Sequence, residues 1–125
     1  MEMRELNGFI NEGDRKAFFI RPEAVESIME STDLYYQTEA ILPSGKSLEL
    51  RKEFEELIKD FANFIVLTLN LNHGRGKDGN LIKVAINPEH ILSIEELSSG
   101  NTFINMTSSS YQVKDKIDDI VSALA

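Results

Sequence analysis

Along this chain the apolar residues first alternate, at Leu48 and Leu50, and then recur at Phe54, Leu57, Ile58 and Phe61. Alternation marks a half-buried strand, and the i, i+3, i+4, i+7 set lays one stripe along an amphipathic helix. The same change of period occurs 63 positions later. Tyr111 and Val113 alternate, and Ile117, Ile120, Val121 and Leu124 form the second stripe. Two unrelated segments would rarely switch from period 2 to period 3.6 at equivalent places, so a duplicated unit is expected.

The upstream parts of the chain agree. "IRPEAVESIME", residues 20–30, is repeated as "INPEHILSIEE", residues 86–96, and the residues before each copy alternate as strands over 16–20 and 82–86. Proline has a fixed φ and no N–H for a ladder, so Pro22 and Pro88 should end those strands. Val25 and Ile91 are then expected to turn back into the core, and Ile28 and Ile94 to anchor a new extended segment. A short helix over 22–29 also fits the spacing of Val25, Ile28 and Met29. Further strands are expected at 34–42 and 101–106, with a clear first strand in "NFIVLTLNL" and a weaker one over 5–10. The fall in displacement from 66 to 63 places about three extra residues in the first copy, near "MESTDLYYQ".

The expected fold is therefore α+β: two β-β-β-α-type repeats, residues 1–62 and 63–125, with antiparallel sheet and two amphipathic helices. Units of about 60 residues bury too little surface to be stable alone, so the repeats should pack as a pseudo-symmetric pair around one shared core, forming one compact domain.

Composition narrows the function. The chain has 125 residues, no cysteine and a net charge of −8. Disulfides, thiolate metal sites and cysteine nucleophiles are excluded. The acidic residues are not offset by any basic stripe, which argues against nucleic acid as the main partner. Acidity suits solubility or docking on a basic protein surface. No apolar run approaches a membrane span and the start lacks a signal architecture, so a cytoplasmic protein is expected.

Several strings imitate catalytic or phosphate motifs. Gly74-x-Gly76-x-x-Gly79 satisfies the dinucleotide fingerprint, but it leads into "NLIKVAI", a strand, where a helix N-terminus is required. Ser44-Gly45-Lys46-Ser47 imitates the end of a phosphate loop, yet residue 40 is alanine and a strand follows. His73 and His90 lie far apart, with no carboxylates at metal-ligand spacing, so neither a metal nor a cofactor is expected. The acid pairs Glu55-Glu56 and Asp118-Asp119 fall opposite the apolar stripes, and Ser108-Ser109-Ser110 has no nucleophile setting. An enzyme is not expected. Candidate binding residues are His73, Arg75 and Lys77, the densest positive cluster, together with Asn87 and His90, where the copies of the Pro-Glu segment differ.

The second copy resembles the small flagellar and swarming-motility (FlbD-type) family and similar short phage or mobile-element proteins. Asn87, Pro88, Glu89, Ile91, Ile94 and Glu95 match its Asn-Pro-acid-x-Ile segment, and Val113-Lys114-Asp115 its helix-opening residues. Arg21 and Leu50-Arg51-Lys52 replace them in the first copy. The resemblance implies a small non-enzymatic module and supplies no catalytic residues. The expectation is a bacterial or phage-type binding or regulatory module acting through protein–protein contacts, with a second copy of itself among the admissible partners. The alternative is a sponge or sensor for a small anionic nucleotide, using the 73–79 loop or the groove between the repeats.

Overall fold

The computed structural model describes Arg4, Glu5 and residues 19–125. In chain order the elements are β1 (Arg4–Glu5), β2 (Phe19–Ile20), β3 (Ser27–Glu30), β4 (Thr38–Ile41), β5 (Ser47–Leu50), α1 (Phe54–Leu57), β6 (Ile65–Thr68), β7 (Lys83–Ile86), β8 (Ile91–Glu96), β9 (Thr102–Met106), β10 (Ser110–Val113) and α2 (Ile117–Leu124). The protein is mixed α+β, and among the described residues every strand pairing is antiparallel. No helix among the described residues is long and apolar enough to cross a membrane. The expected strand over 16–18 and most of that over 5–10 lie outside the described residues.

Strand order decides how the two halves of the chain meet. Five strands run β5-β4-β3-β7-β6, three run β10-β9-β8, and β1 pairs with β2. The centre of the larger sheet is β3 against β7, with Ile28 opposite Ala85 and Met29 opposite Val84. One sheet thus crosses the boundary between residues 62 and 63. The larger sheets also touch beyond the end of β6: Leu69 bridges Val113, Asn70 N–H donates to the Gln112 carbonyl at 3.0 Å, and Lys114 N–H to that of Thr68 at 2.8 Å.

The single shared core that small units should need is replaced by two. Val25, Ile28, Leu48, Leu50, Phe54, Leu57 and Phe61 form one, and Leu67, Leu69, Val84, Ile86, Ile104, Met106, Val113 and Ile120 the other. The reason is visible on β7. It is buried on both faces, so alternation sends Ala85 into the first core and Val84 and Ile86 into the second. Met29 likewise packs against the second core from β3. The two cores are therefore back to back across one sheet.

Other departures have local causes. The first stripe is buried as its spacing implies, but α1 is only 4 residues long and continues as a tighter 3-10 turn over Ile58–Asp60. That tightening brings Phe61 N–H onto the Ile58 carbonyl at 2.9 Å and turns the chain into the next segment. The second stripe is covered less: Ile120 is buried, while Val121 and Leu124 are 52% and 38% exposed. The strand expected over 34–42 begins only at Thr38. Before it, the Ser31 hydroxyl accepts from Asp33 N–H and the Asp33 carboxylate from Tyr35 N–H. These side-chain turns compete with a ladder and leave Leu34 and Tyr35 outside, 86% and 81% exposed.

Candidate functional site

The two Pro-Glu segments form matching corners. Pro22–Ala24 and Pro88–His90 are single 3-10 turns, entered from extended Arg21 and Asn87. Proline suits the first turn position because no N–H is needed there, and it holds the preceding residue extended. Val25 N–H and Ile91 N–H then return to the Pro22 and Pro88 carbonyls. Of the two readings for 22–29, a single turn followed by a strand is the one that forms.

The corners face each other and are bolted together by the residues in which they differ. Buried Asn87 donates through Nδ2 to the Glu23 carbonyl at 3.1 Å and the Val25 carbonyl at 2.9 Å, while its Oδ1 accepts from Glu89 N–H at 3.0 Å. Its own N–H donates to the Glu26 carbonyl at 2.9 Å. His90 Nε2 lies 2.7 Å from the Glu23 carbonyl. A carbonyl can only accept, so this nitrogen carries the proton. Both candidates from the second corner thus serve the seam first.

Where the corners meet there is an open cleft of about 450 Å³, lined by Pro22, Glu23, Asn87, Pro88, Glu89 and the connecting residues 60–64. Three of its residues are acidic: Glu23, Asp60 and Glu89. Asp60 is shared with Lys52 at 3.8 Å, and no basic side chain lines the cleft. One oxygen of Glu23, Oε2, is buried without a hydrogen-bond partner among the described residues. Phe61 and Phe64 also line it, their rings tilted 57° with centroids 5.1 Å apart. Among the described residues no three potential ligands converge to hold a metal ion. Dispersed carboxylates beside aromatic rings suit an extended organic cation, because ring faces and carboxylates both attract positive charge.

His73, Arg75 and Lys77 lie elsewhere, on the connection between β6 and β7, so the five candidates do not form one site. They also diverge from one another. His73 Nε2 accepts from Gln112 N–H at 3.4 Å, Arg75 Nη1 donates to the Gly79 carbonyl at 3.0 Å, and Lys77 Nζ donates to the Tyr36 carbonyl at 2.6 Å. The glycines of the fingerprint serve turns: Gly74 and Gly79 have φ of 82° and 84°, and the chain proceeds to β7 with no intervening α-helix.

A second polar cluster had no signal in the sequence. Glu26 is fully buried and accepts from Ser108 N–H at 2.9 Å, the Ser108 hydroxyl at 3.0 Å and the Ser109 hydroxyl. Beside it the Tyr111 hydroxyl meets that of buried Ser27 at 2.5 Å. Its only trace in the letters is that Glu26 stands where the other Pro-Glu segment has Leu92; nothing local links it to residues more than 80 positions away. Burial raises the Tyr111 pKa, with the charges of Glu26 and Glu39 acting the same way and the hydroxyls of Ser27 and Ser109 opposing. The folded state therefore favours the neutral phenol. Stability from this group is full below the unfolded tyrosine pKa of about 10 and is lost as pH rises towards the higher folded value. Urea melts from pH 8 to 11 should show Tyr111→Phe losing less stability across the alkaline limb than the native protein; parallel losses would refute this.

No family model, no curated protein and no solved structure matches the chain.

Proposed function

We propose that this chain is a non-enzymatic binding module of bacterial or phage type, acting in the cytoplasm through protein–protein contacts. Its cleft between the Pro-Glu corners receives a basic segment of the partner. The observation that carries this reading is that Glu23, Asp60 and Glu89 line one cleft together with Phe61 and Phe64, with no basic side chain among its lining residues. A guanidinium or ammonium group entering the cleft would make charge-assisted bonds to these carboxylates beside the aromatic rings. The net charge of −8 steers a basic partner in the same direction.

The module is, on this reading, a duplicated β-β-β-α unit packed as a pseudo-symmetric pair, residues 1–62 and 63–125. Support comes from recurring detail. Buried Thr38, opening β4, donates to the Lys52 carbonyl ahead of α1 at 3.1 Å. Buried Thr102, opening β9, donates to the Asp115 carbonyl ahead of α2 at 2.7 Å. Their displacement is 64, so most of the extra length of the first copy falls in the connection between β3 and β4, residues 31–37. Duplication explains why two Pro-Glu corners exist to form a cleft. The resemblance of residues 87–95 and 113–115 to the FlbD-type family fits a small module without catalytic residues.

Calorimetric titration with tetra-arginine and tetra-lysine peptides tests the cleft. Binding should weaken about tenfold or more in Glu23→Gln/Glu89→Gln, the loss expected for removing charge-assisted bonds. It should be unchanged in Glu95→Gln/Glu96→Gln, on β8 away from the cleft. Equal loss in both variants would mean that only net charge matters and would overturn the cleft as the site.

A further inference from the structure

A second cleft, of about 410 Å³, lies beside the 3-10 turn at Leu71–His73, and its chemistry is the opposite of the first. It is lined by Arg75 and Lys114, the amide side chains of Asn70, Asn72, Asn101 and Gln112, and Ser99, Leu71 and Leu81. No carboxylate is among them, in a chain with 21 acidic residues. The neighbouring acid, Asp115, is occupied by Thr68 N–H at 2.8 Å.

The donors of this cleft are held by the fold. Asn70 is 5% exposed; its Oδ1 accepts from Asn72 N–H at 3.0 Å, and its NH₂ has no hydrogen-bond partner among the described residues. Arg75 is anchored by its backbone bridge to Leu81 and by one guanidinium nitrogen on the Gly79 carbonyl. Guanidinium carries five N–H donors, so most stay available. The Lys114 backbone is fixed by its bond to Thr68, and its ammonium has no ion pair among the described residues. Gln112 accepts from Asn72 Nδ2 through Oε1 at 3.5 Å, which leaves its own NH₂ as a donor. Two cations and several amide donors around one space fit a ligand with one anionic end and a hydroxyl-rich body. Leu71, well exposed at the rim, offers an apolar face.

We propose that this cleft is a binding site for a phosphorylated sugar, free or within a nucleotide. Arg75 and Lys114 take the phosphate, because a fork and a point charge together match its oxygens. Asn70, Asn101 and Gln112 hydrogen-bond the hydroxyl groups. The site is independent of the corner cleft, and of the three cations in the 73–77 cluster it uses only Arg75.

The test is an NMR titration of the full chain with ribose 5-phosphate, AMP, inorganic phosphate and ribose. Ribose 5-phosphate and AMP should shift the amides of Asn70, Arg75, Gln112 and Lys114, with ribose and inorganic phosphate each binding at least about tenfold more weakly, as loss of one half of the contacts implies. Lys114→Gln, an exposed change that leaves the fold intact, should weaken ribose 5-phosphate about tenfold, as should Arg75→Ala where its melt matches the native protein. Glu23→Gln/Glu89→Gln should leave this binding unchanged, which separates the two sites. Inorganic phosphate binding as tightly as ribose 5-phosphate would overturn the assignment. So would absence of shifts at these amides, or indifference to Lys114→Gln.

Discussion

Asn87→Asp is expected to lower the melting temperature by roughly 15 °C, the shift that follows from a loss of about 4 kcal/mol in a chain of this size. The substitution is isosteric, so packing is unchanged and the effect is electrostatic. Nδ2 now donates to the Glu23 and Val25 carbonyls at 3.1 and 2.9 Å in a buried setting. Aspartate would place an oxygen against both, and the ionised form would be buried facing two negative dipoles. Only Glu89 N–H, on the other side, would still have its acceptor. Asn87→Ala should cost less, about 2 kcal/mol, because it removes the bonds without adding repulsion. The order Asp worse than Ala is the diagnostic result, measured by thermal or urea melts. If Ala proved the worse, shape rather than hydrogen bonding would hold the corners together. In Asn87→Ala, hydrogen exchange should also quicken at Glu89, whose N–H loses the side-chain acceptor that caps the turn.

The second large effect is expected at Glu26. Glu26→Leu copies the residue of the other corner and keeps most of the volume, yet should destabilise the protein by about 3 kcal/mol. It strips the acceptor from Ser108 N–H, a backbone donor with no alternative bond in the structure, and from two serine hydroxyls. The Ser108 hydroxyl keeps the Leu42 carbonyl at 3.0 Å, so the loss falls mainly on the backbone group and on Ser109. Glu26→Gln retains an acceptor and should cost about 1 kcal/mol. Ser109→Ala should cost less in the Glu26→Leu background than in the native protein, because the hydroxyl has already lost its carboxylate partner and keeps only the Tyr111 hydroxyl; fully additive losses in urea melts would show that the two side chains are not coupled.

These two residues illustrate what local sequence can and cannot carry. Asn87 is a visible difference between the two corners, so it could be singled out from letters alone. Its task could not, because its partners are carbonyl oxygens of Glu23 and Val25, and every residue has a carbonyl. Glu26 looked like one more charge in an acidic chain. Its burial follows from the docking of the 107–109 turn, which no periodicity encodes. The loop cations show the reverse error: His73, Arg75 and Lys77 are close in sequence, yet their side chains engage Gln112, Gly79 and Tyr36 in different directions. Arg75 acquires a cationic neighbour only through Lys114, which arrives with β10 at the same cleft.

By itself the sequence determined the local elements: the proline corners, the alternating strands, the buried stripe of Phe54, Leu57 and Phe61, and the absence of a helix after the glycine loop. Such features depend on the conformational limits of one segment and on the period of its own side chains. Tertiary structure alone decided that β3 pairs with β7, that the core splits in two across that seam, that α2 leaves Val121 and Leu124 exposed, and that the Pro-Glu corners enclose a cleft. Ladder hydrogen bonds use backbone groups common to all residues, so the partner of a strand is chosen by how whole faces pack rather than by the letters of the strand itself.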